Sequence, residues 1–358
     1  MATHPPVITT APPRWHFIEN HHDWIQTGEK LSQALLRIRQ GSQPAWSLGE
    51  NLDALCRLPE HLQVDRALSR LRQAIEQGES ILVCGDYDVD GISATAVMVL
   101  GLQRLGATVA WYLPDRHKEG YGLSPLALQY AANHAHRLLI TVDCGIADAD
   151  RIAAAQAQGL DVIVTDHHRK PAPLPPAVAI IHPGVIGARF EGITGVATAF
   201  KLIHTYAQRY HPPMVFYDLL DLVALGTVTD VAPMLDENHA LVREGLRQCN
   251  RSLRPGFAAM AQLAGRQAPF NETDLGFCFG PRLNAAGRLQ DAATALRLLL
   301  APSIEAALPY AATLEQLNQS RKTLTQEVFD SALGRNSQAR PYGIIDGAPQ
   351  WHAGVIGI

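Results

Sequence analysis

The sequence has few of the features that mark secreted, membrane-spanning or disulfide-rich proteins. Its five cysteines are scattered along 358 residues without a Cys-x-x-Cys pair, which is typical of reduced thiols and excludes a disulfide framework. It contains no run of about 18 apolar residues, so no transmembrane helix is predicted. The N-terminal residues MATHPPVITTAPPRW lack the basic and apolar regions of a signal peptide. We therefore expect a soluble cytoplasmic protein that does not associate with membranes.

Charged residues are also scarce, at 18% of the chain against about 25% in an average protein. The 30 Lys and Arg residues are outnumbered by 34 Asp and Glu residues, which gives a net charge of −4. This balance excludes a generally basic surface of the kind that binds nucleic acid non-specifically. A polyanionic ligand would have to be held by a local basic patch or by bound metal ions.

Two common catalytic patterns are missing as well. No G-x-x-x-x-G-K-[ST] phosphate-binding loop occurs, so a nucleotide triphosphatase of that type is not supported. No G-x-S-x-G nucleophile turn occurs either, and the residues suggest no nucleophilic triad.

Short apolar runs alternate with helix-like stretches in the first half of the chain. The runs lie at 81–85, 108–114, 137–145 and 160–168. This alternation is typical of a parallel, doubly wound α/β sheet. Residues from about 194 to 330 are predicted to be mostly helical, ending in a long polar helix. The last residues, PYGIIDGAPQWHAGVIGI (341–358), predict a strand, a turn and a new strand.

The segment GDYDVDG at 85–91 places three carboxylates at alternate positions directly after the first apolar run: Asp86, Asp88 and Asp90. Because carboxylates this close repel one another, we expect a cation among them. An EF-hand is excluded, since Val97 stands at the twelfth position, where that loop needs a bidentate Glu. Helix capping requires only one Asp and does not account for three.

Later apolar runs also end in potential metal ligands. Within the third run, Asp143 directly follows the apolar residues LLITV, and within the fourth, Asp166, His167 and His168 come after DVIV. The carboxyl ends of parallel strands meet at one edge of a sheet, so these side chains are expected to converge there. Asp230, in ALGTVTDVAP, is a further candidate that by itself is equally consistent with a turn residue.

Carboxylates combined with one or two imidazoles suit Mn²⁺ or Mg²⁺ better than the thiolate-rich sets that bind structural zinc. With four or more carboxylates available, two metal ions about 3.5–4 Å apart are plausible. Such two-metal sites cleave phosphoesters. The residues therefore predict metal-assisted hydrolysis.

The ordered segments GDYDVDG, TVDCG, VTDHH and GTVTDVAP resemble the DHH phosphoesterase superfamily. Further segments make the chain similar to the RecJ family of single-stranded-DNA-specific 5′→3′ exonucleases within it. These are PDRHKEGYGLS (114–124), GVATAFKL (195–202), GPRLNAAGRL (280–289), LNQSRKTLTQE (317–327) and HAGVIGI (352–358). The DHH triplet alone has little specificity, whereas the ordered set, which runs from about residue 50 to the last residue, is highly specific.

The resemblance implies a site for two divalent metal ions, Mn²⁺ or Mg²⁺. Asp88 and Asp90 would each bind one ion, and Asp143 would bridge the two. His167 and Asp230 would complete the coordination of the second ion.

The resemblance also implies how the groups around the metal ions act. His168 would face the scissile phosphate and complete the catalytic set, while Asp166 would orient its neighbours from behind. Asp86 would lie beside the ligands without binding metal itself.

Single-stranded DNA is the substrate that the resemblance implies. Arg116 would reach the DNA phosphates, and Tyr121 would lie near the strand. Arg282, Asn284 and Arg288 would line the channel beneath the DNA, although without the resemblance these arginines are equally consistent with an ordinary solvated surface. A local groove of this kind would allow an acidic protein to bind a single strand.

The resemblance divides the chain into four parts: an N-terminal leader (1–50), a DHH catalytic domain (51–305), a connecting helix (306–335) and the start of a truncated DHHA1-type α/β domain (336–358). Members of this family continue into a Gly-rich Ser/Arg motif and an oligonucleotide-binding barrel, so we expect this chain to be a C-terminally truncated product or a fragment. Cys84 stands where some members of the superfamily have a metal-binding His, and is expected to be a small buried strand residue.

The predicted function is therefore 5′→3′ exonuclease activity on single-stranded DNA, with 5′-mononucleotides as products, in DNA repair and recombination. By resemblance, a helicase and single-strand-binding protein are expected partners. One alternative is a phosphatase or oligonucleotide phosphodiesterase for small substrates, which GPRLNAAGR and PDRHKEGYG disfavour. A second is a non-catalytic single-strand-binding scaffold, which the presence of every expected metal ligand disfavours.

Overall fold

A five-stranded parallel sheet organises the first half of the chain in the computed structural model, which describes residues 52–335 and 346–356. The strands are β1 (Ser80–Gly85), β2 (Thr108–Tyr112), β3 (Leu138–Val142), β4 (Asp161–Thr165) and β5 (Ala179–Ile181). Their order is β2-β1-β3-β4-β5, and every neighbouring pair is parallel. The order reverses beside β1, so the carboxyl ends of β1 and β3 flank a crevice where ligands bind in this type of sheet.

Helices lie before, between and directly after these strands. They are α1 (Leu52–Cys56), α2 (Leu62–Glu76), α3 (Val89–Arg104), α4 (Pro125–Asn133), α5 (Ala149–Ala157) and α6 (Pro183–Ile186). Alternate strand residues face two separate apolar cores: Ile81 and Val83 contribute to one, and Leu82 and Cys84 to the other. Both faces of the sheet are therefore covered, which confirms the predicted doubly wound α/β fold.

The second half of the described chain is helical, as predicted. It comprises α7 (Gly195–Tyr210), a 3₁₀ turn (Tyr217–Leu219), α8 (Leu220–Thr229), α9 (Asp236–Arg251), α10 (Pro255–Leu263), a π-helix (Asp274–Phe279), α11 (Gly280–Leu289), α12 (Ala293–Leu299) and α13 (Ile304–Arg335). The buried side chains of α13 all lie in its first half, and the second half is polar. The assignment of this helix as a connector between domains stays a prediction. Among the described helices, none combines the length and the apolar character needed to cross a membrane.

The predicted strand at the end of the chain is wrong for the residues that the structure describes. Residues 346–356 form turns and irregular backbone without strand pairing. Their backbone is held by side chains instead, since the Arg288 guanidinium donates a hydrogen bond to the Gly354 carbonyl at 3.2 Å. The first predicted strand of this segment and the N-terminal leader (1–50) lie outside the described residues, and the proposed domain boundaries stay predictions.

Helices α8 and α9 pack so closely that no side chain fits at Gly245 of α9. A substitution there is therefore expected to destabilise the protein. A Cβ atom there would overlap the Leu220 carbonyl oxygen of α8, whereas one at Gly334 of α13 would meet no atom within 4 Å. Gly245→Ala is expected to lower the free energy of unfolding by about 1–3 kcal/mol through overpacking. Gly334→Ala, the matched control, should raise it by up to about 1 kcal/mol, because alanine loses less backbone entropy in a helix. Urea denaturation measures both, and equal effects of the two substitutions would contradict the predicted packing.

Candidate metal centre

The acidic loop lies at the carboxyl end of β1, and its three Asp residues have different local partners. Asp88 is the N-cap of α3, where its Oδ1 accepts a hydrogen bond from the Gly91 backbone N–H at 3.1 Å. Asp90 is buried and accepts hydrogen bonds from the backbone N–H groups of Gly195 and Val196, at 2.7 and 3.0 Å. Its carboxylate therefore lies on the positively polarised N-terminus of α7. Helix capping therefore explains the presence of Asp88 in the loop, but it does not explain that of Asp86.

Asp143 follows β3 in a conformation that is rare for residues other than glycine. Its φ angle is 61°, in the left-handed region, and its side chain is buried. Helix α7 approaches it so closely that a Cβ atom at Gly195 would overlap the Asp143 carboxylate. Strained conformations of this kind concentrate at functional sites.

The Asp-His-His segment follows β4, and Asp166 holds its two imidazoles in place. The carboxylate of Asp166 accepts hydrogen bonds from the backbone N–H groups of Ile146, His167 and His168, and lies 2.8 Å from the Nδ1 atom of His168. The Tyr121 hydroxyl also lies 3.0 Å from that Nδ1 atom. These contacts are those expected of a residue that orients its neighbours.

These side chains converge on one another although they come from separate parts of the chain. Potential ligand atoms lie within 4.8 Å of one another in three groups: Asp86, Asp88 and Asp143; Asp90, His167 and Asp230; and Asp143, His167 and His168. The Asp143 Oδ1 atom lies 3.1 Å from the His167 Nε2 atom, which in turn lies 3.7 Å from Asp90 Oδ2. Asp143 belongs to two of the groups, as a bridging ligand would.

Three buried atoms at the centre of this cluster lack any hydrogen-bond partner: Asp86 Oδ1, Asp143 Oδ1 and His167 Nε2. Burying such atoms without a partner is costly. Carboxylate oxygens and an imidazole nitrogen are the ligands that hard divalent cations accept. The residues therefore fit one or more metal ions. Asp86, which sequence reasoning placed beside the ligands, has an unpartnered oxygen among them, and its position as the first of three alternating Asp residues was the available signal.

A cavity of about 330 Å³ opens onto this cluster. Asp86, Asp88 and His168 line it, together with four of the five residues predicted to contact DNA: Arg116, Tyr121, Asn284 and Arg288. Helix α11 can reach the acidic loop because Gly287 has no side chain, since a Cβ atom there would lie 2.5 Å from the Tyr87 carbonyl oxygen.

Arg282 is not among the residues that line this cavity. Its Nε atom donates to Glu315 of α13 at 2.6 Å, and its Nη1 atom donates to the Cys278 carbonyl at 2.7 Å. In the structure it ties α11 to α13, and a contact between Arg282 and DNA stays a prediction. Tyr87 was missed by sequence reasoning, yet it lines the cavity and its ring lies 5.0 Å beneath the Arg116 guanidinium.

Cys84 is fully buried in the core formed by Leu82, Leu139 and their neighbours, and belongs to none of the potential metal groups. Burial raises the pKa of its thiol far above the usual value. This confirms the expectation of a small buried strand residue.

Comparison with known proteins places the chain in a family. Residues 80–227 match the model of the DHH family, N-terminal domain. Proteins named single-stranded-DNA-specific exonuclease RecJ from Haemophilus influenzae and Bacillus subtilis are each 39% identical over 82% of this chain, which covers 55% and 37% of their lengths. A crystal structure of exonuclease RecJ bound to manganese is 36% identical, with a TM-score of 0.76 over 84% of this chain and 76% of that one. The chain belongs to the RecJ family. It spans about half or less of the length of these two curated relatives.

The potential metal ligands include several carboxyl groups that are buried close to one another. Burial, reinforced by the neighbouring carboxylates, raises the pKa of Asp90 and Asp143 well above the usual 3.8, that of Asp86 to about 7 and that of Asp230 to about 6. Burial and the neighbouring His168 lower the pKa of His167 to about 4, so its imidazole is neutral at pH 7 and can offer a lone pair. Protons and cations therefore compete for the same atoms.

This competition predicts a pH-dependent stabilisation by metal. Because the folded-state pKa values of Asp86 and Asp230, about 7 and about 6, exceed the unfolded value, the contribution of these two residues to the stability of the metal-free protein falls as pH rises from about 4 to about 7. At pH 5 an entering cation must displace protons from Asp86 and Asp230, whereas at pH 8 it neutralises their existing charge. Saturating Mn²⁺ is expected to raise Tm by about 5 °C at pH 8 and by less than half of that at pH 5.

Thermal denaturation with and without Mn²⁺ measures this difference. Asp143→Asn, which removes a charge at the centre of the cluster, should reduce the increment at pH 8. Asp150→Asn, an exposed Asp on α5, is the matched control and should leave it unchanged. An increment that is equal at both pH values, or that survives Asp143→Asn intact, would contradict the prediction.

Proposed function

We propose that this chain carries the catalytic part of a metal-dependent 5′→3′ exonuclease that hydrolyses single-stranded DNA to 5′-mononucleotides, in DNA repair and recombination. The observation that carries the proposal is one cavity whose lining combines Asp86, Asp88 and His168, members of the potential metal groups, with Arg116 and Arg288. Buried, unpartnered ligand atoms of Asp143 and His167 belong to the same groups. Metal ligands next to phosphate-binding groups suit phosphodiester cleavage. The names of the curated relatives, single-stranded-DNA-specific exonuclease RecJ, support the same substrate.

Two divalent ions, Mn²⁺ or Mg²⁺, are the proposed cofactors. Asp88, Asp90, Asp143, His167 and Asp230 would hold them, and we propose Asp86 as a further ligand because its buried Oδ1 atom lacks a hydrogen-bond partner. RecJ from Thermus thermophilus has been crystallised in complex with Mn²⁺ and with Mg²⁺, which supports either ion. When bound, two such ions supply an activated water and neutralise the charge that develops on the phosphate.

His168 would donate a hydrogen bond to the phosphate. The hydrogen bond between its Nδ1 atom and Asp166 raises the pKa of His168, which favours the charged imidazolium. That contact also fixes the ring and leaves the Nε2 atom free of this partner. The side chain is 44% exposed and lines the cavity, so a substrate can reach it. A positioned imidazolium stabilises the negative charge of a phosphate oxygen.

The two arginines of the cavity, Arg116 and Arg288, would bind the phosphates of a polyanion. Among the described residues, Arg116 and Arg288 make no ion pair with a carboxylate at salt-bridge distance; Arg116 stacks over Tyr87, and Arg288 donates to a backbone carbonyl. Burial, together with the nearby Arg116 and Arg321, lowers the pKa of Arg288. Planar guanidinium groups that have no carboxylate partner can form paired hydrogen bonds with the oxygens of a phosphodiester backbone.

The predicted partnership with a helicase and single-strand-binding protein belongs to this proposal through the family resemblance alone. Co-migration of the chain with either protein on DNA would support it.

The exonuclease activity is tested on single-stranded DNA labelled at its 5′ end, with Mn²⁺ present. Labelled mononucleotide is expected as the first product, because attack begins at that end. Asp143→Asn should lower the rate by about 100-fold or more, since it weakens a ligand shared by two metal groups. Asp150→Asn should cleave like the unaltered chain, and chelation with EDTA should stop the reaction.

Other products separate the alternatives. Turnover of pyrophosphate or dinucleotides without cleavage of longer strands would favour the small-substrate phosphodiesterase. If Mn²⁺ stabilises the protein and DNA binds but no phosphate bond is cleaved, the exonuclease proposal fails and a scaffold role remains.

A further inference from the structure

A second cavity of about 370 Å³ adjoins the metal cavity. The two share Thr229, Asn284 and Arg288 in their linings, so a chain-like ligand in one can continue into the other. The second cavity differs in character, because Val228, Val231 and Phe277 give it apolar walls. An apolar space beside a phosphate-binding space matches the alternation of base and phosphate in a nucleic acid.

The Phe277 ring is 82% exposed, although aromatic rings are usually buried. It lies on the π-helix Asp274–Phe279, a rare geometry that is frequent at functional sites. Gly276 within this turn and Gly280 directly after it allow the segment to pack on α8: a Cβ atom at Gly276 would lie 3.3 Å from Val228, and one at Gly280 would overlap Thr229. Phe277 is therefore fixed relative to Asp230, which directly follows α8.

Val231 forms another part of the apolar wall of this cavity, and its backbone has an unfavourable conformation. Its φ angle is 57°, in the left-handed region that β-branched residues avoid, and its side chain is 87% exposed. The residue directly follows the metal-group residue Asp230. An exposed apolar side chain held in a strained backbone beside a metal ligand indicates a binding role.

Positive charge lies at the cavity as well. Arg321 of α13 donates hydrogen bonds to the Asn318 Oδ1 atom, at 3.0 and 3.3 Å, and has no carboxylate at salt-bridge distance within the part of the chain that the structure describes. Arg288 lies on the wall shared with the metal cavity. A peptide segment without acidic side chains would contact the apolar walls but would leave the two guanidinium groups without an anionic partner. A nucleotide provides both, because its base is apolar on its faces and its phosphate is an anion.

We propose that this cavity binds a nucleobase of the single-stranded substrate, with the Phe277 ring as the stacking surface and Arg321 beside the adjoining phosphate. The inference rests on the proposed function, because it identifies a neighbouring nucleotide of the same DNA strand. Stacking on an aromatic ring accepts every base, so the cavity would hold the strand in place without reading its sequence.

The test uses the whole 358-residue chain and twelve-nucleotide strands of deoxyadenylate. One strand is intact, and each of the others has a single abasic residue at a different position. Dissociation constants are measured by fluorescence anisotropy in Ca²⁺, and cleavage rates are measured separately in Mn²⁺. The chain is expected to bind one abasic strand about 5-fold or more weakly than the intact strand, because one stacked base is lost.

Phe277→Ala should weaken binding of the intact strand by the same factor and abolish the penalty at that abasic position. Phe277→Trp should retain both the affinity and the penalty, since an indole ring also stacks. Phe329→Ala, an exposed Phe on α13, is the matched control and should behave like the unaltered chain. Because Phe277 is exposed, Phe277→Ala should keep the Tm and its increase by Mn²⁺.

The outcomes separate this inference from the exonuclease proposal. If the unaltered chain cleaves DNA but Phe277→Ala retains the abasic penalty, the nucleobase site is wrong and the exonuclease proposal stands. If the chain binds DNA with a Phe277-dependent penalty but does not cleave it, the site is supported and the exonuclease proposal fails. If the chain does not bind single-stranded DNA, both fail.

Discussion

Uncompensated negative charge at the carboxyl edge of the sheet is the constraint on which the rest of the site depends. Asp90 and Asp143 are buried and lie beside Asp86, Asp88 and Asp230, with His167 between them. The mutual repulsion of these carboxylates would be prohibitive without a cation or bound protons. A divalent cation bound among these ligand atoms would offset this cost.

The first turn of α7 makes the cluster geometrically possible. Its backbone N–H groups hold the Asp90 carboxylate, and the absence of a side chain at Gly195 leaves room for Asp143. A Cβ atom at Gly226 of α8 would lie 2.6 Å from the Asp90 Oδ1 atom. Glycines on two helices therefore allow the helical half of the chain to close over the acidic loop and to bring Asp230 into the same group.

Under the proposed function, the same helical half would supply the groups that hold a long anionic substrate beside the metal centre. Helix α11 carries Asn284 and Arg288 to the cavity, and α13 carries Arg321 to the adjoining one. This local concentration of guanidinium groups explains how a chain of net charge −4 can accommodate a polyanion. The apolar cavity beside Phe277 adjoins this surface, which is why we propose base binding there.

The sequence by itself determined the order of strands and helices, because buried parallel strands leave continuous apolar runs such as those before Asp86, Asp143 and Asp166. It also brought together the groups proposed to bind metal, since carboxylates placed directly after such runs share one sheet edge. Only the tertiary structure decided which distant helices meet that edge. Arg282 and Arg288 lie in one motif, yet Arg282 pairs with Glu315 while Arg288 lines the cavity, because residues six apart on a helix face different neighbours. The exposure of Phe277 could not be predicted from the sequence, because it depends on a π-helical turn that packs against α8 through long-range contacts.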